Sequence, residues 1–171
     1  TINGASITLA DKMDVIGTLT LTTGDITTDA TNKLTIKSGG TVSGGSVSSH
    51  VAGPMDYETA STTEITIPIG DGTRYRPVYI RPAAVTATTY TAKFTSSAYS
   101  DLTCTNAQGL LDHIAPGMYW DISNNGGSDA DIGLSWDENI VVDVPADIRL
   151  AHWNGSAWEK VGESLTGSNG S

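Results

Sequence analysis

Two consecutive segments, Leu19-Thr-Leu-Thr-Thr-Gly-Asp-Ile26 and Leu34-Thr-Ile-Lys-Ser-Gly-Gly-Thr-Val42, each run through a short alternating strand, a glycine turn and a further apolar position. Leu19, Leu21 and Gly24 recur as Leu34, Ile36 and Gly39, a shift of 15 residues. A period that short leaves room only for brief strands, because each residue advances a strand by about 3.3 Å. Stacked β-rungs or a tight β-meander are the folds compatible with it. A first third spent on such ladders builds a surface rather than an active site.

The pattern extends on both sides of the repeat. Ala5-Ser-Ile-Thr-Leu9 alternates, Asp11 to Asp14 reads as a polar turn, and Val15 to Leu21 reads as one strand with Gly17 as its weak point. Around Gly53-Pro54 the rung-like repeat stops and longer strands begin. Thr63-Glu-Ile-Thr-Ile-Pro-Ile69 alternates, and Pro68, which lacks an N–H, marks an edge or a break. Gly70-Asp-Gly-Thr73 then turns the chain into Tyr75-Arg-Pro-Val-Tyr-Ile-Arg81, a hairpin. In the strand from Thr86 to Thr95, Thr88, Tyr90, Ala92 and Phe94 share one face. Strands are also expected at Met118–Ser123, 131–137, 147–153 and 157–161, the last two joined at Asn154-Gly155 by a type I′ turn. The one candidate helical turn spans 106–113.

These readings predict an all-β chain. A solenoid-like ladder over residues 1–52 leads into an antiparallel β-sandwich over 53–162, followed by a flexible Gly/Ser-rich end at 163–171.

Composition narrows the function. A formal charge of −10 with only nine Lys and Arg argues against nucleic acid, which demands clustered cations. No apolar run reaches the length of about 18 residues that a membrane helix needs. The single Cys104, in the strand-like stretch Asp101-Leu-Thr-Cys-Thr, rules out an internal disulfide and reads as a small buried apolar residue. Because the chain opens at Thr1, it is expected to be a processed or excised segment, which suits a secreted product.

No constellation for catalysis emerges. His50, His113 and His152 are far apart and read as surface or half-buried structural residues. No Gly-x-Ser-x-Gly elbow anchors a hydrolase triad, and the glycine runs at 39–40 and 44–45 read as turns. The chain is therefore read as non-enzymatic and without a required cofactor. Two polar or aromatic sets remain. Asp129, Asp131 and Asp137 supply hard oxygen ligands on loops, the chemistry of a weak calcium site, although their spacing fits no EF-hand. Trp120, Trp136, Trp153 and Trp158 are core residues or, if they face outward, a sugar-stacking platform, which makes a carbohydrate-binding module the alternative function. Asn154-Gly-Ser and Asn169-Gly-Ser match the acceptor pattern for N-glycosylation, relevant only in a glycosylating host.

The phrases Gly17-Thr-Leu-Thr-Leu-Thr-Thr-Gly24, Asn32-Lys-Leu-Thr-Ile-Lys-Ser-Gly-Gly-Thr-Val-Ser-Gly-Gly-Ser46, Ile65-Thr-Ile-Pro-Ile-Gly-Asp-Gly-Thr-Arg-Tyr-Arg-Pro-Val78, Tyr119-Trp120 and Leu150-Ala-His-Trp-Asn-Gly-Ser-Ala-Trp158 occur in a characteristic order. In that order the chain resembles the β-rich modules of large surface and secreted proteins of Bacteroidetes-type bacteria, adhesin-like proteins associated with type IX secretion. The resemblance implies an extracellular or cell-surface structural or adhesive module with no catalytic residues. Those proteins are often much longer, so the chain is expected to be one module or a small self-assembling subunit. An open ladder must cap its first strand or use it. Ile2, Ile7 and Leu9, alternating with polar residues, are accordingly expected to mediate head-to-tail association of copies or neighbouring β-modules into a filament.

Overall fold

The computed structural model describes residues 1–104, 111–136 and 148–161. Seventeen strands and no helix occupy the described residues, so the fold is all-β. The chain divides into two compact units, one formed by Thr1–Thr95 with Trp120–Ser135 and the other by Ser96–Tyr119 with Trp136–Ser171.

The first unit begins as a three-faced solenoid. Its first coil is β1 (Ile2–Asn3), β2 (Ile7–Thr8) and β3 (Met13–Val15); its second is β4 (Thr18–Thr23), β5 (Ile26–Thr27) and β6 (Leu34–Ile36); its third is β7 (Thr41–Gly44), β8 (Val51–Ala52) and β9 (Met55–Thr59). Every third strand stacks in parallel on its predecessor, giving the faces β1-β4-β7, β2-β5-β8 and β3-β6-β9. Alternation turns one or two apolar residues per face inward at each level. Ile7, Ile26 and Val51 form one column, and Met13, Leu34 and Met55 another. Ile26, Leu34, Ile36, Val51 and Met55 are completely buried, so this column packing is the core of the solenoid.

The register corrects the 15-residue period. Ile2 pairs with Leu21, Met13 with Leu34, Thr18 with Thr41 and Ile26 with Val51, offsets of 19 to 25 residues. Leu19 and Leu21 lie on the first face and Leu34 and Ile36 on the third face of the same coil. All faces share one local recipe, alternation followed by a turn, so neighbouring faces resemble each other as strongly as neighbouring coils do. The expected strand from Val15 to Leu21 is likewise two strands on two faces, with Ile16-Gly17 as the corner.

Pro68 is where the solenoid changes character. It is buried between β10 (Ile65–Ile67) and β11 (Ile69–Gly70), and it breaks one alternating run into strands that join different sheets. β11 continues the second face in parallel with β8, whereas β10 pairs antiparallel with β12 (Val78–Pro82), and β12 with β15 (Ala130–Leu134). Lacking an N–H, Pro68 still serves as an acceptor, its carbonyl taking the Val51 N–H at 2.9 Å. The hairpin expected at Gly70–Thr73 forms, and the Asp71 carboxylate accepts the N–H groups of Thr73 and Arg74 at 2.9 and 2.7 Å. On the third face β13 (Thr88–Thr95) pairs antiparallel with β9 and is flanked by β14 (Tyr119–Gly126). Thr88, Tyr90, Ala92 and Phe94 are its buried face, as the alternation predicts.

The second unit contains the hairpin of β16 (Leu150–Trp153) and β17 (Trp158–Val161). Its turn is not type I′. Trp153 pairs with Trp158, leaving a four-residue loop in which no residue other than Gly155 has positive φ. Instead the Asn154 carboxamide oxygen accepts the N–H groups of Ser156 and Ala157, so the side chain organises the loop. Asp101–Cys104 is not a strand; the Asp101 carboxylate accepts the Thr103 N–H there. The expected helical turn falls largely on 105–110, and the Gly/Ser-rich end on 162–171, both outside the described residues.

Candidate interaction surface

The solenoid ends differently at its two extremities. At the far end, the outer edge of β9 is covered by β13, and β11 is closed by the turn bringing Gly70 against Tyr75, with the Arg76 N–H bonded to the Ile69 carbonyl at 2.8 Å. At the N-terminal end, β1, β2 and β3 are each the last strand of their sheet among the described residues. Hydrogen bonding fixes which peptide groups point outward there. The N–H groups of Gly4, Ile7, Leu9 and Met13 all bond to the second coil, and the Val15 carbonyl accepts the Lys37 N–H. Peptide direction alternates along a strand, so the groups of Asn3, Thr8 and Asp14 face away from the stack.

Beneath those edges lies an incompletely covered core. Ile2, Leu9, Met13 and Val15 are half-buried and Ile7 is 39% exposed, whereas Ile26, one level down the same column, is 0% exposed. Thus the three residues expected to mediate association, Ile2, Ile7 and Leu9, share one terminal coil with Met13 and Val15, which sequence reasoning missed. Asp11–Asp14 reads as a turn in sequence because its polar residues mask the single inward pair that makes β3 a strand.

His50 corrects another expectation, for it is completely buried rather than exposed or half-buried. Its Nδ1 lies 3.0 Å from the Ser46 carbonyl and its Nε2 accepts the Gly72 N–H at 3.1 Å, which selects the neutral Nδ1–H tautomer. The Asp25 carboxylate accepts the His50 backbone N–H at 3.0 Å. The ring therefore ties the third coil to the hairpin turn that closes the second face at the far end. His113 and His152 are exposed, and His152 faces away from Trp153.

The other candidates are placed as follows. Asp129 is an exposed loop residue, Asp131 is exposed on β15 opposite Arg81, and Asp137 lies outside the described residues. Among the described residues no group of three or more His, Cys, Asp or Glu stands together to hold a metal. Trp120 packs in the first unit on Phe94, ring centroids 5.4 Å apart. In the second unit Trp153, Trp158 and Tyr119 surround Tyr99 at 5.2–5.7 Å, and the Trp158 indole N–H bonds to the Asp101 carbonyl at 2.8 Å. Trp136 is half-buried. Cys104 is half-buried, its thiol 3.3 Å from the Leu111 carbonyl. No helix among the described residues is long and apolar enough to cross a membrane.

An open groove of about 630 Å³ runs beside the second and third coils, where Asp29, Lys33, Lys93 and Asp121 contribute charge. Lys33 is paired with Asp56 at 2.6 Å, and no aromatic side chain lines the groove to stack a sugar. Asp29 is engaged by its own turn: the N–H groups of Asn32 and then Thr31 hold its carboxyl below the usual 3.8. The open coil is thus the most distinctive surface. Comparison of the chain with protein-family models, curated proteins and solved structures finds no match.

Proposed function

We propose that this chain is a structural module of an extracellular or cell-surface assembly, and that it works by self-association through the open edges of its first coil. The observation that carries this reading is that an apolar interior, buried in the second coil and on two faces of the third, runs out to a coil whose three outer strand edges have no partner among the described residues. Unpaired edges over half-exposed apolar residues bind further strands, since main-chain bonds supply affinity and the apolar column supplies register. The surface location rests on the resemblance that the residue phrases at 17–24, 32–46, 65–78, 119–120 and 150–158 suggest to secreted bacterial β-modules.

Sedimentation velocity over a wide protein concentration range tests the proposal. A species heavier than the monomer should grow in as concentration rises, and it should be lost when Ile7 is replaced by lysine. A chain that stays monomeric at the highest accessible concentration would overturn it.

A further inference from the structure

We infer that Asn154 is a self-modification site: the main-chain nitrogen of Gly155 closes on the Asn154 side chain, ammonia is expelled, and the ring opens to aspartate or isoaspartate. The inference is independent of self-association and concerns the second unit alone. Asn-Gly steps at 3–4, 125–126 and 154–155 lie among the described residues, and Asn169-Gly170 lies outside them. Glycine carries no Cβ to shield its nitrogen, so these steps share the same local chemistry. The fold makes them unequal.

Closure requires the glycine nitrogen to give up its proton and swing onto the carboxamide carbon, a rotation that a strand held in its ladder resists. At Asn3, on β1, the Gly4 N–H is bonded to the Thr23 carbonyl at 3.1 Å, and the Asn3 carboxamide oxygen accepts the Thr23 hydroxyl at 3.0 Å. Asn125 lies in β14, where Gly126 packs so tightly that an added Cβ would come within 2.7 Å of the Ala87 carbonyl oxygen. Asn154 instead sits in the exposed four-residue loop between β16 and β17. There the Gly155 N–H donates to no acceptor among the described residues. Chain neighbours apart, nothing stands within 4 Å of the place a Gly155 Cβ would take.

The loop also prepares the carbon under attack. Three donors converge on the Asn154 carboxamide oxygen: the Ser156 N–H and hydroxyl, each at 3.0 Å, and the Ala157 N–H at 2.9 Å. They polarise the carbonyl, and they bind the oxyanion formed on attack more strongly than the neutral oxygen. The Glu159 carboxylate accepts from the carboxamide nitrogen at 2.5 Å, so both ends of the group are held. Water is the only co-reactant. The Gly155 nitrogen loses its proton and bonds to Cγ while an electron pair moves onto Oδ1; the pair then returns, the Cγ–Nδ2 bond breaks, and the amine takes up a proton and leaves as ammonia. Water opens the resulting imide at Cγ to give aspartate, or at the Asn154 main-chain carbonyl carbon to give isoaspartate. Either product adds a negative charge and removes the asparagine of the Asn154-Gly-Ser acceptor pattern. Isoaspartate also lengthens the main chain of the loop that joins Trp153 to Trp158.

The test follows the full chain in mildly alkaline buffer by peptide mass spectrometry, both native and unfolded in guanidinium. In the native protein Asn154 should convert about tenfold or more faster than Asn3 and Asn125, which must first leave their strands. In guanidinium the three rates should converge, because only the local sequence remains. Native conversion of Asn3 or Asn125 as fast as that of Asn154 would overturn the inference. So would a native Asn154 that stays intact while the unfolded chain converts. Ser156→Ala removes one of the three donors, and it should slow native Asn154 about threefold while leaving the unfolded rate unchanged. An unaltered native rate in that variant would refute the part assigned to the loop. Aspartate as the sole product would refute the imide route, which yields both isomers.

Discussion

Replacing isoleucine by alanine along one column measures how far the core is covered at the open end. Ile7, Ile26 and Val51 occupy successive levels of the second face, and Ile26 is completely buried between the other two. Ile26→Ala removes three carbons, roughly 2.4 kcal/mol at about 0.8 kcal/mol each. A closed cavity between two fixed rungs adds to this, so a loss of about 3–4 kcal/mol is expected. Ile7 is 39% exposed, so only about three-fifths of its transfer energy is at stake, and the space opens to water rather than enclosing a void. The expected loss for Ile7→Ala is therefore about 1.5 kcal/mol. Native-state hydrogen exchange at the Ile26 and Thr28 amides, which bond to the His50 and Ala52 carbonyls, reads the solenoid alone in a chain of two units. At dilute concentration the two variants should differ by at least a factor of ten in protection. Equal losses would refute the reading of the first coil as an uncovered end. Under the proposed self-association the gap should narrow at high concentration, because a bound second copy would cover Ile7.

Two glycines with similar backbone angles should respond differently to alanine. Gly39 has φ +87° with open space around it, so Gly39→Ala should cost only the left-handed penalty of about 1–2 kcal/mol. At Gly44, φ +85°, a Cβ would lie 2.1 Å from the Leu21 carbonyl oxygen, and Gly44→Ala should cost about 3 kcal/mol or more in thermal melts. Equal shifts in Tm would show that the close rung contact does not matter. Stability should also fall at both extremes of pH, through identifiable groups. The N–H bonds from Asn32 and Thr31 lower the Asp29 pKa in the folded state, so that contribution is present above the ordinary 3.8 and is lost as pH falls through the lower folded value. The hydrogen bond to Glu58 raises the Lys37 pKa, so its contribution is present below the ordinary 10.5 and is lost as pH rises through the folded value. Melting curves against pH should flatten on the acid side for Asp29→Ala and on the alkaline side for Lys37→Met, and unchanged limbs would exclude these two groups as the cause.

Local rules were legible in the sequence wherever one strand or turn decides its own geometry. Period-two alternation marks the buried face of β13, the Gly-Asp-Gly turn marks its hairpin, and Pro68 marks a break, because each follows from the covalent chemistry of a few adjacent residues. The all-β class follows from the same signals, and so does the association of Ile2, Ile7 and Leu9 with an open first ladder. What a segment pairs with depends on residues some 20 positions away, and identical local patterns on three faces cannot say which face stacks on which. Only the tertiary structure separates the coil length of 19 to 25 residues from the 15-residue echo between faces. Only it buries His50, whose partners Ser46, Asp25 and Gly72 come from three turns of the path. It alone covers two of the three faces at the far end of the solenoid and leaves β7 and the first coil as outermost strands, since coverage is a matter of which strand edges meet, and main-chain hydrogen-bonding groups are the same for every residue but proline.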